Sequence, residues 1–165
     1  MKYYISIFVI FLLFGCKGNN PTATTEDHHV YLEFTHNSNA LYWMDSFSLV
    51  GKKVIITEDD TSKIYNLYSN GKEEKEELIL RKRLMPQKID TILSLLNKYG
   101  FYKYPPVITQ TDSGSFNIGS VIIKVKRESD INYKTVDATI YTNPDYNQSI
   151  FQDFIKKLES VLDIE

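Results

Sequence analysis

Hydrophobic and polar side chains alternate along several short stretches of this chain, a pattern typical of half-buried β-strands. The clearest case is residues 30–35, where Val30, Leu32 and Phe34 alternate with more polar residues. Residues 41–50 are rich in aromatic side chains but lack a clear period, so a strand and an irregular segment both stay open there. Further strands are predicted at residues 53–57, 63–69, 75–84, 118–127 and 133–141.

Turn-forming residues separate these stretches. Asn70-Gly71 predicts a tight type I′ hairpin, because both central residues of that turn need positive φ, and the following strand should begin near Lys72. A charge pair spaced i, i+4 would also allow a helix over residues 75–84, but the alternation of leucines there favours a strand. A second hairpin is predicted to join the last two strands.

Two stretches have the period of an amphipathic helix. The first begins at Pro86, and Gly100 is expected to provide its left-handed cap, with Phe101 packing back on the last turn. The second is predicted to begin with Asn143 as the N-cap and Pro144 in the first helical position. The apolar stripe of this second helix comprises Ile150, Phe151, Phe154, Ile155, Leu158, Val161 and Leu162.

This order of elements predicts an α+β domain over residues 30–165. We expect an antiparallel sheet of about five to seven strands with both helices on one face, in the order β-meander, helix, β-hairpin, helix. Of the 165 residues, 42% are hydrophobic and 24% are charged, values typical of globular proteins rather than disordered or fibrous ones. The 21 acidic residues outnumber the 19 basic ones, which disfavours a nucleic-acid partner.

The N-terminus has the features of an export signal. A positive start, Met1-Lys2, precedes an apolar run over residues 5–14. A helix needs about 20 apolar residues to cross a bilayer, so this run is too short for a span and matches the hydrophobic region of a signal peptide. We therefore interpret residues 1–15 as a signal peptide, with an uncleaved anchor or an ordinary secretory cleavage as the alternatives.

Leu13-Phe14-Gly15-Cys16 follows this run, and Cys16 is the only cysteine. The tetrapeptide resembles the lipobox of bacterial lipoproteins. That resemblance implies acylation of Cys16, cleavage between Gly15 and Cys16, and a covalent lipid as the membrane partner. Because no Asp follows the cysteine, it also implies sorting to the outer membrane, with the periplasmic and cell-surface faces both open. Residues 16–29 are polar and are expected to form a flexible tether.

The body of the chain also resembles a known type of domain. A helix ending in Gly100-Phe101, a Pro-containing exit, a loop bearing Asp112 and a terminal hairpin plus helix are present. This arrangement, over residues 63–162, is similar to an uncharacterised domain of small Bacteroidetes-type lipoproteins. The resemblance carries no activity over to this chain.

The candidate chemistry is sparse. His28, His29 and His36 all lie near the mature N-terminus, and we interpret them as incidental surface histidines rather than metal ligands. Cys16 is assigned to the lipid and cannot act as a nucleophile. We therefore expect no catalytic residues, no metal and no cofactor.

An aromatic cluster remains as a candidate interaction surface. Tyr102 and Tyr104, next to Pro105-Pro106, are candidates for contact with a sugar or with a protein partner. The favoured alternative is that these rings pack on the sheet where the helix ends. The sequence thus predicts a lipid-anchored, non-catalytic binding or assembly module. The alternatives are a lipoprotein immunity or inhibitor protein with an acidic face and a hydrolase without a recognisable motif.

Overall fold

A computed structural model describes residues 29–38, 46–109, 117–142 and 144–164. The helices in this part of the chain are α1 (Pro86–Lys98) and α2 (Tyr146–Leu162), and a short 3₁₀ turn spans Phe101–Lys103. Neither helix is long and apolar enough to cross a membrane. The strands are β1 (Val30–Ser38), β2 (Ser48–Ile56), β3 (Thr61–Ser69), β4 (Glu74–Arg83), β5 (Val107–Ile108), β6 (Asn117–Arg127) and β7 (Lys134–Tyr141).

The strands form one seven-stranded sheet in the order β4-β3-β2-β1-β6-β7-β5. Every neighbouring pair is antiparallel except β5 and β7, which are parallel. The α+β class, the strand number and the predicted element order are confirmed. The parallel pair was not predicted, because β5 has only two residues and its direction depends on how the chain returns from α1.

The core lies on one face of the sheet, under both helices. The apolar residues of β1, β6 and β7 that alternate along each strand are fully or almost fully buried there, and α1 contributes Ile89, Ile92 and Leu96. α2 contributes Phe151, Phe154, Ile155 and Leu158 to the same cluster. Both helices therefore cover one face, as predicted, and the other face of the sheet stays uncovered by helices in the described residues.

α2 differs from its prediction at its start and along its stripe. Its N-cap is Asp145, whose side chain accepts a hydrogen bond from the Gln148 backbone N–H, and not Asn143, which lies outside the described residues. Pro144 therefore precedes the helix rather than opening it. Ile150 belongs to the predicted stripe but is 38% exposed, whereas Gln148 is buried. Apolar spacing alone did not show which edge of the stripe turns away from the sheet.

The hairpin between β3 and β4 is present, but its turn is not type I′. Ser69 pairs with Glu74, so four residues form the loop, and β4 starts at Glu74 rather than near Lys72. Gly71 has a φ of 81°, while Asn70 is not among the residues with positive φ. Instead, the Asn70 side chain accepts hydrogen bonds from the backbone N–H groups of Lys72 and Glu73.

The uncertain segment 41–50 is resolved only in part. Residues 48–50 belong to β2, which also includes the predicted strand at 53–57 up to Ile56. Residues 39–45 lie outside the described residues. β1 occupies the predicted position and continues to Ser38.

Asp163 connects three elements at the end of α2. It adopts a left-handed conformation, and its carboxylate lies 2.5 Å from Lys82 Nζ of β4 and 2.6 Å from Lys88 Nζ of α1. The two ammonium groups lower the pKa of Asp163. Because the folded-state pKa is lowered, this contribution to stability is present above the pKa of the unfolded chain and is lost as the pH falls through the folded-state value.

Candidate functional site

A pair of titratable side chains lies where β1 meets the C-terminal part of α2. His36 is on the helix-facing side of β1, and its Nδ1 lies 2.5 Å from Glu159 Oε1 of α2. The His36 side chain is 36% exposed and that of Glu159 is 19% exposed. His36 therefore lies at the surface, and a partly buried carboxylate of α2 holds its ring.

A cavity of about 240 Å³ opens beside this pair. The Lys52 Nζ donates to the Ile164 carbonyl oxygen at 3.1 Å, and the Ser38 hydroxyl donates to the Val50 carbonyl oxygen at 3.0 Å. The Lys52 bond thus attaches the end of α2 to β2, and the Ser38 bond joins β1 to β2. The lining residues are His36, Ser38, Leu49, Gly51, Lys52, Glu159 and Ile164.

The other histidines add no chemistry in the described part of the chain. His29 Nδ1 lies 2.7 Å from the Glu58 carbonyl oxygen, and His28 lies outside the described residues. Among residues 29–38, 46–109, 117–142 and 144–164, no group of three or more His, Cys, Asp or Glu side chains is arranged to hold a metal ion. Gly15 and Cys16 also lie outside the described residues, so acylation of Cys16 stays a prediction.

The sheet face opposite the helices carries a cluster of aromatic and basic side chains. The rings of Tyr31 on β1 and Tyr133 before β7 meet edge to face, with their centroids 5.2 Å apart. Lys124 Nζ lies 4.4 Å from the Tyr133 ring centroid, and Lys126 Nζ lies 5.6 Å from it. We call Tyr31, Tyr133, Lys124 and Lys126 the Tyr–Lys patch.

The strand register explains why these residues meet. Tyr31 lies directly opposite Lys126 in the antiparallel pair of β1 and β6, and Lys124 lies opposite Glu33. The Tyr31 hydroxyl donates to Glu33 at 3.0 Å, and partial burial together with this carboxylate raises the pKa of Tyr31 to about 12. Tyr31 is therefore an uncharged donor at neutral pH. Its orientation is fixed by a neighbouring side chain.

Part of the Tyr–Lys patch is accessible from solvent. Tyr133 is 45% exposed, and Ile122, on the same face of β6, is also partly exposed. The patch lies on β1 and β6, which are inner strands of the sheet, and on the approach to β7. Such a surface presents aromatic area, which is enriched at protein interfaces, with ammonium groups beside it.

Tyr102 and Tyr104, the candidates proposed from the sequence, pack against the core. Tyr104 meets Phe151 edge to face, with centroids 5.2 Å apart. The Tyr102 ring lies 4.1 Å from the guanidinium carbon of Arg127, and its hydroxyl is buried without a hydrogen-bond partner among the described residues. Burial raises the pKa of both phenols. The predicted packing of these rings is confirmed, and their contact with a partner stays a prediction.

Sequence reasoning did not find the His36–Glu159 pair or the Tyr–Lys patch. The partners of the first are 123 residues apart, and no local motif connects them. For the patch, the alternation in β1 placed Tyr31 on the face opposite the core, but the partner strand was needed to place Lys124 and Lys126 beside it.

No protein-family model matches this chain, and a search of curated proteins also found no match.

Proposed function

We propose that this protein is a lipid-anchored envelope protein that binds an acidic partner protein with the Tyr–Lys patch and has no catalytic activity of its own. The lipobox-like sequence ending at Cys16 supports the anchor, and the polar segment that follows it supports a tether. The single observation that carries the binding function is the Tyr31–Tyr133 ring pair with two lysine ammonium groups beside it.

The chemistry of the Tyr–Lys patch defines the kind of partner. Tyrosine side chains lose little conformational entropy on binding, and residues of this type often contribute most of the energy of an interface. Lys124 and Lys126 attract carboxylates and disfavour basic surfaces, which gives the patch its selectivity. The ammonium groups of the patch favour this function over that of an immunity protein, which would act through an acidic face.

The contacts in the cavity beside His36 support the absence of catalysis. A nucleophilic serine would need a base within hydrogen-bond reach, but the described hydrogen bond of the Ser38 hydroxyl is to the Val50 carbonyl. His36 is bonded to Glu159, which attaches α2 to the sheet. Turnover of a hydrolytic substrate by the purified protein, abolished in His36→Ala, would overturn this part of the proposal.

Changing Cys16 to serine should abolish acylation, because the thiol is the acceptor of the lipid. We expect metabolic labelling with a radioactive fatty acid to label the wild-type protein and not Cys16→Ser, which should accumulate as the uncleaved precursor. Phe14→Ala is the matched control, since it places a small residue before Gly15 and should keep the label. Labelling that persists in Cys16→Ser would contradict the anchor assignment.

Changing Tyr133 to alanine or Lys124 to glutamate should weaken capture of the partner. The full chain, crosslinked in its own envelope and purified, should retain an acidic protein identified by mass spectrometry. Loss of an interface anchor costs about 2 kcal/mol or more, so we expect each change to lower capture by tenfold or more. For Tyr133→Ala, the denaturation midpoint should remain close to that of the wild type, because Tyr133 is well exposed.

Tyr146→Ala is the control for this experiment. Tyr146 is the first residue of α2 and is exposed, so its replacement removes a similar aromatic surface away from the Tyr–Lys patch. Capture should be unchanged in this variant and should fall with increasing salt in the wild type. Equal capture by Tyr133→Ala, Lys124→Glu and the wild type would refute the role of the patch.

A further inference from the structure

One edge of the sheet is long and exposed. β4 has ten residues and is the last strand on its side, whereas the strand at the opposite edge, β5, has only two. On its outer side, the β4 backbone has no strand neighbour in the described part of the chain. Three consecutive apolar residues at its centre, Leu78, Ile79 and Leu80, are 50%, 49% and 41% exposed. An exposed apolar edge of this kind is a template for pairing with another strand.

The charges of β4 differ in sign between its two ends. Glu74, Glu76 and Glu77 precede the apolar centre, and the basic run Arg81, Lys82 and Arg83 follows it. In an antiparallel pairing of two identical strands, the acidic end of each copy lies against the basic end of the other. β4 is therefore complementary in charge to a second copy of itself.

We propose that two copies of this chain form a two-fold symmetric dimer by antiparallel pairing of β4, which joins their sheets into one. In the register that sets Leu78 opposite Ile79 of the second copy, Glu76 lies opposite Arg81 and Glu74 lies opposite Arg83. Symmetry doubles each of these pairs. The apolar centres of the two strands then cover one another, and the outer backbone groups of both strands gain partners.

The pairing within the monomer supports this register. A register shift between Ile64 and Tyr65 of β3 accommodates an extra residue in β4. As a result, the acidic residues Glu74 and Glu76 and the basic residues Arg81 and Arg83 all lie opposite odd-numbered positions of β3, on one face of the sheet. The charged residues that this register sets opposite one another therefore lie on the same face, where they can form ion pairs.

The existing contacts of these charges are compatible with the dimer. Arg81, Arg83 and Glu74 have no ion-pair partner among the described residues, while Glu76 lies 3.1 Å from Lys53 Nζ. The register also sets Lys75 opposite Lys82. Lys82 already forms an ion pair with Asp163, a carboxylate that it shares with Lys88, and Lys75 Nζ lies over the Phe47 ring.

Charge exchange tests the dimer. In sedimentation equilibrium of the full chain in detergent, the wild type should form a dimer. Arg81→Glu should raise its dissociation constant by at least about tenfold, because two attractive pairs become repulsive. The double variant Glu76→Arg, Arg81→Glu restores opposite charges and should restore dimerisation to near the wild-type level. Lys156→Glu, an equal charge change on the exposed side of α2, should have no effect.

A disulfide tests the register. Glu76→Cys and Arg81→Cys in one chain lie about 16 Å apart along the same strand, beyond the reach of an intrachain disulfide. Mild oxidation should therefore give a covalent dimer of the double variant and not of either single variant.

A wild type that is monomeric at every loading concentration would overturn the proposal, as would a dimer insensitive to Arg81→Glu. The proposal would also be overturned if the β4 edge bound only a strand of another protein. Tyr133→Ala should leave the dimer intact, which separates this outcome from failure of the proposed function.

Discussion

Replacing Phe154 with alanine should lower the free energy of unfolding by about 3–5 kcal/mol. Phe154 is fully buried near the middle of α2. Its ring centroid lies 5.4 Å from that of Tyr99 after α1, 6.1 Å from that of Phe101 and 6.0 Å from that of Phe151. Removing the ring leaves a cavity where the two helices and the 3₁₀ turn meet. Denaturant titration of wild type and variant measures this loss.

Two variants of the same helix serve as controls. Ile150→Ala removes a more exposed side chain from α2 and should cost less than about 1 kcal/mol. Phe154→Leu keeps part of the buried volume and should fall between wild type and Phe154→Ala. A loss below about 1 kcal/mol for Phe154→Ala would show that this ring does not connect the helices to the core.

Replacing Gly51 with alanine should cost about 3 kcal/mol, because the added methyl group has no space. A Cβ at this position would lie 2.2 Å from the His36 carbonyl oxygen and 3.0 Å from Asn37 Cα, both of which belong to the β1 backbone. The register of β2 against β3 shifts between Leu49 and Gly51, so the backbone here is already irregular. β1 and β2 would have to separate to accept the methyl group. Thermal or denaturant unfolding measures the loss.

Gly100→Ala separates steric clash from backbone strain. Gly100 has a φ of 63°, but the nearest atom to an added Cβ is Lys103 Cδ at 3.8 Å. Its substitution therefore tests only the cost of a left-handed conformation, about 1–2 kcal/mol. Should Gly51→Ala cost less than Gly100→Ala, the close approach of β1 and β2 would not constrain the sheet as described.

The Gly51 and Phe154 variants also bear on the proposed function. Gly51 lies beside the β1 segment that carries His36, and Phe154 lies in α2, the helix that carries Glu159. The Tyr–Lys patch is on the other face of β1 and β6. If the patch binds a partner as a rigid surface, variants that loosen the core should weaken binding only in proportion to the unfolded fraction, unlike Tyr133→Ala, which acts on binding directly.

Local signals in the sequence determined the elements of this fold. The 3.6-residue period and the terminal glycine located α1 and its left-handed cap at Gly100, because helix bonds and caps connect residues close in sequence. Alternation located β1, since its buried and exposed positions depend only on the pleat of one strand. The order of these elements was then enough to predict both helices on one face of the sheet.

Tertiary structure alone decided which of these elements met. Alternation predicted a strand at β4 but not that Leu78 and Leu80 would be exposed, because the register shift sets them opposite Tyr65 and Ile64, on different faces of the sheet, and β4 lies at the sheet edge. Strand register placed Lys124 and Lys126 beside Tyr31, and packing of α2 placed Glu159 against His36. Periodicity describes one element at a time, whereas these contacts depend on the relative position of two elements that are distant in sequence.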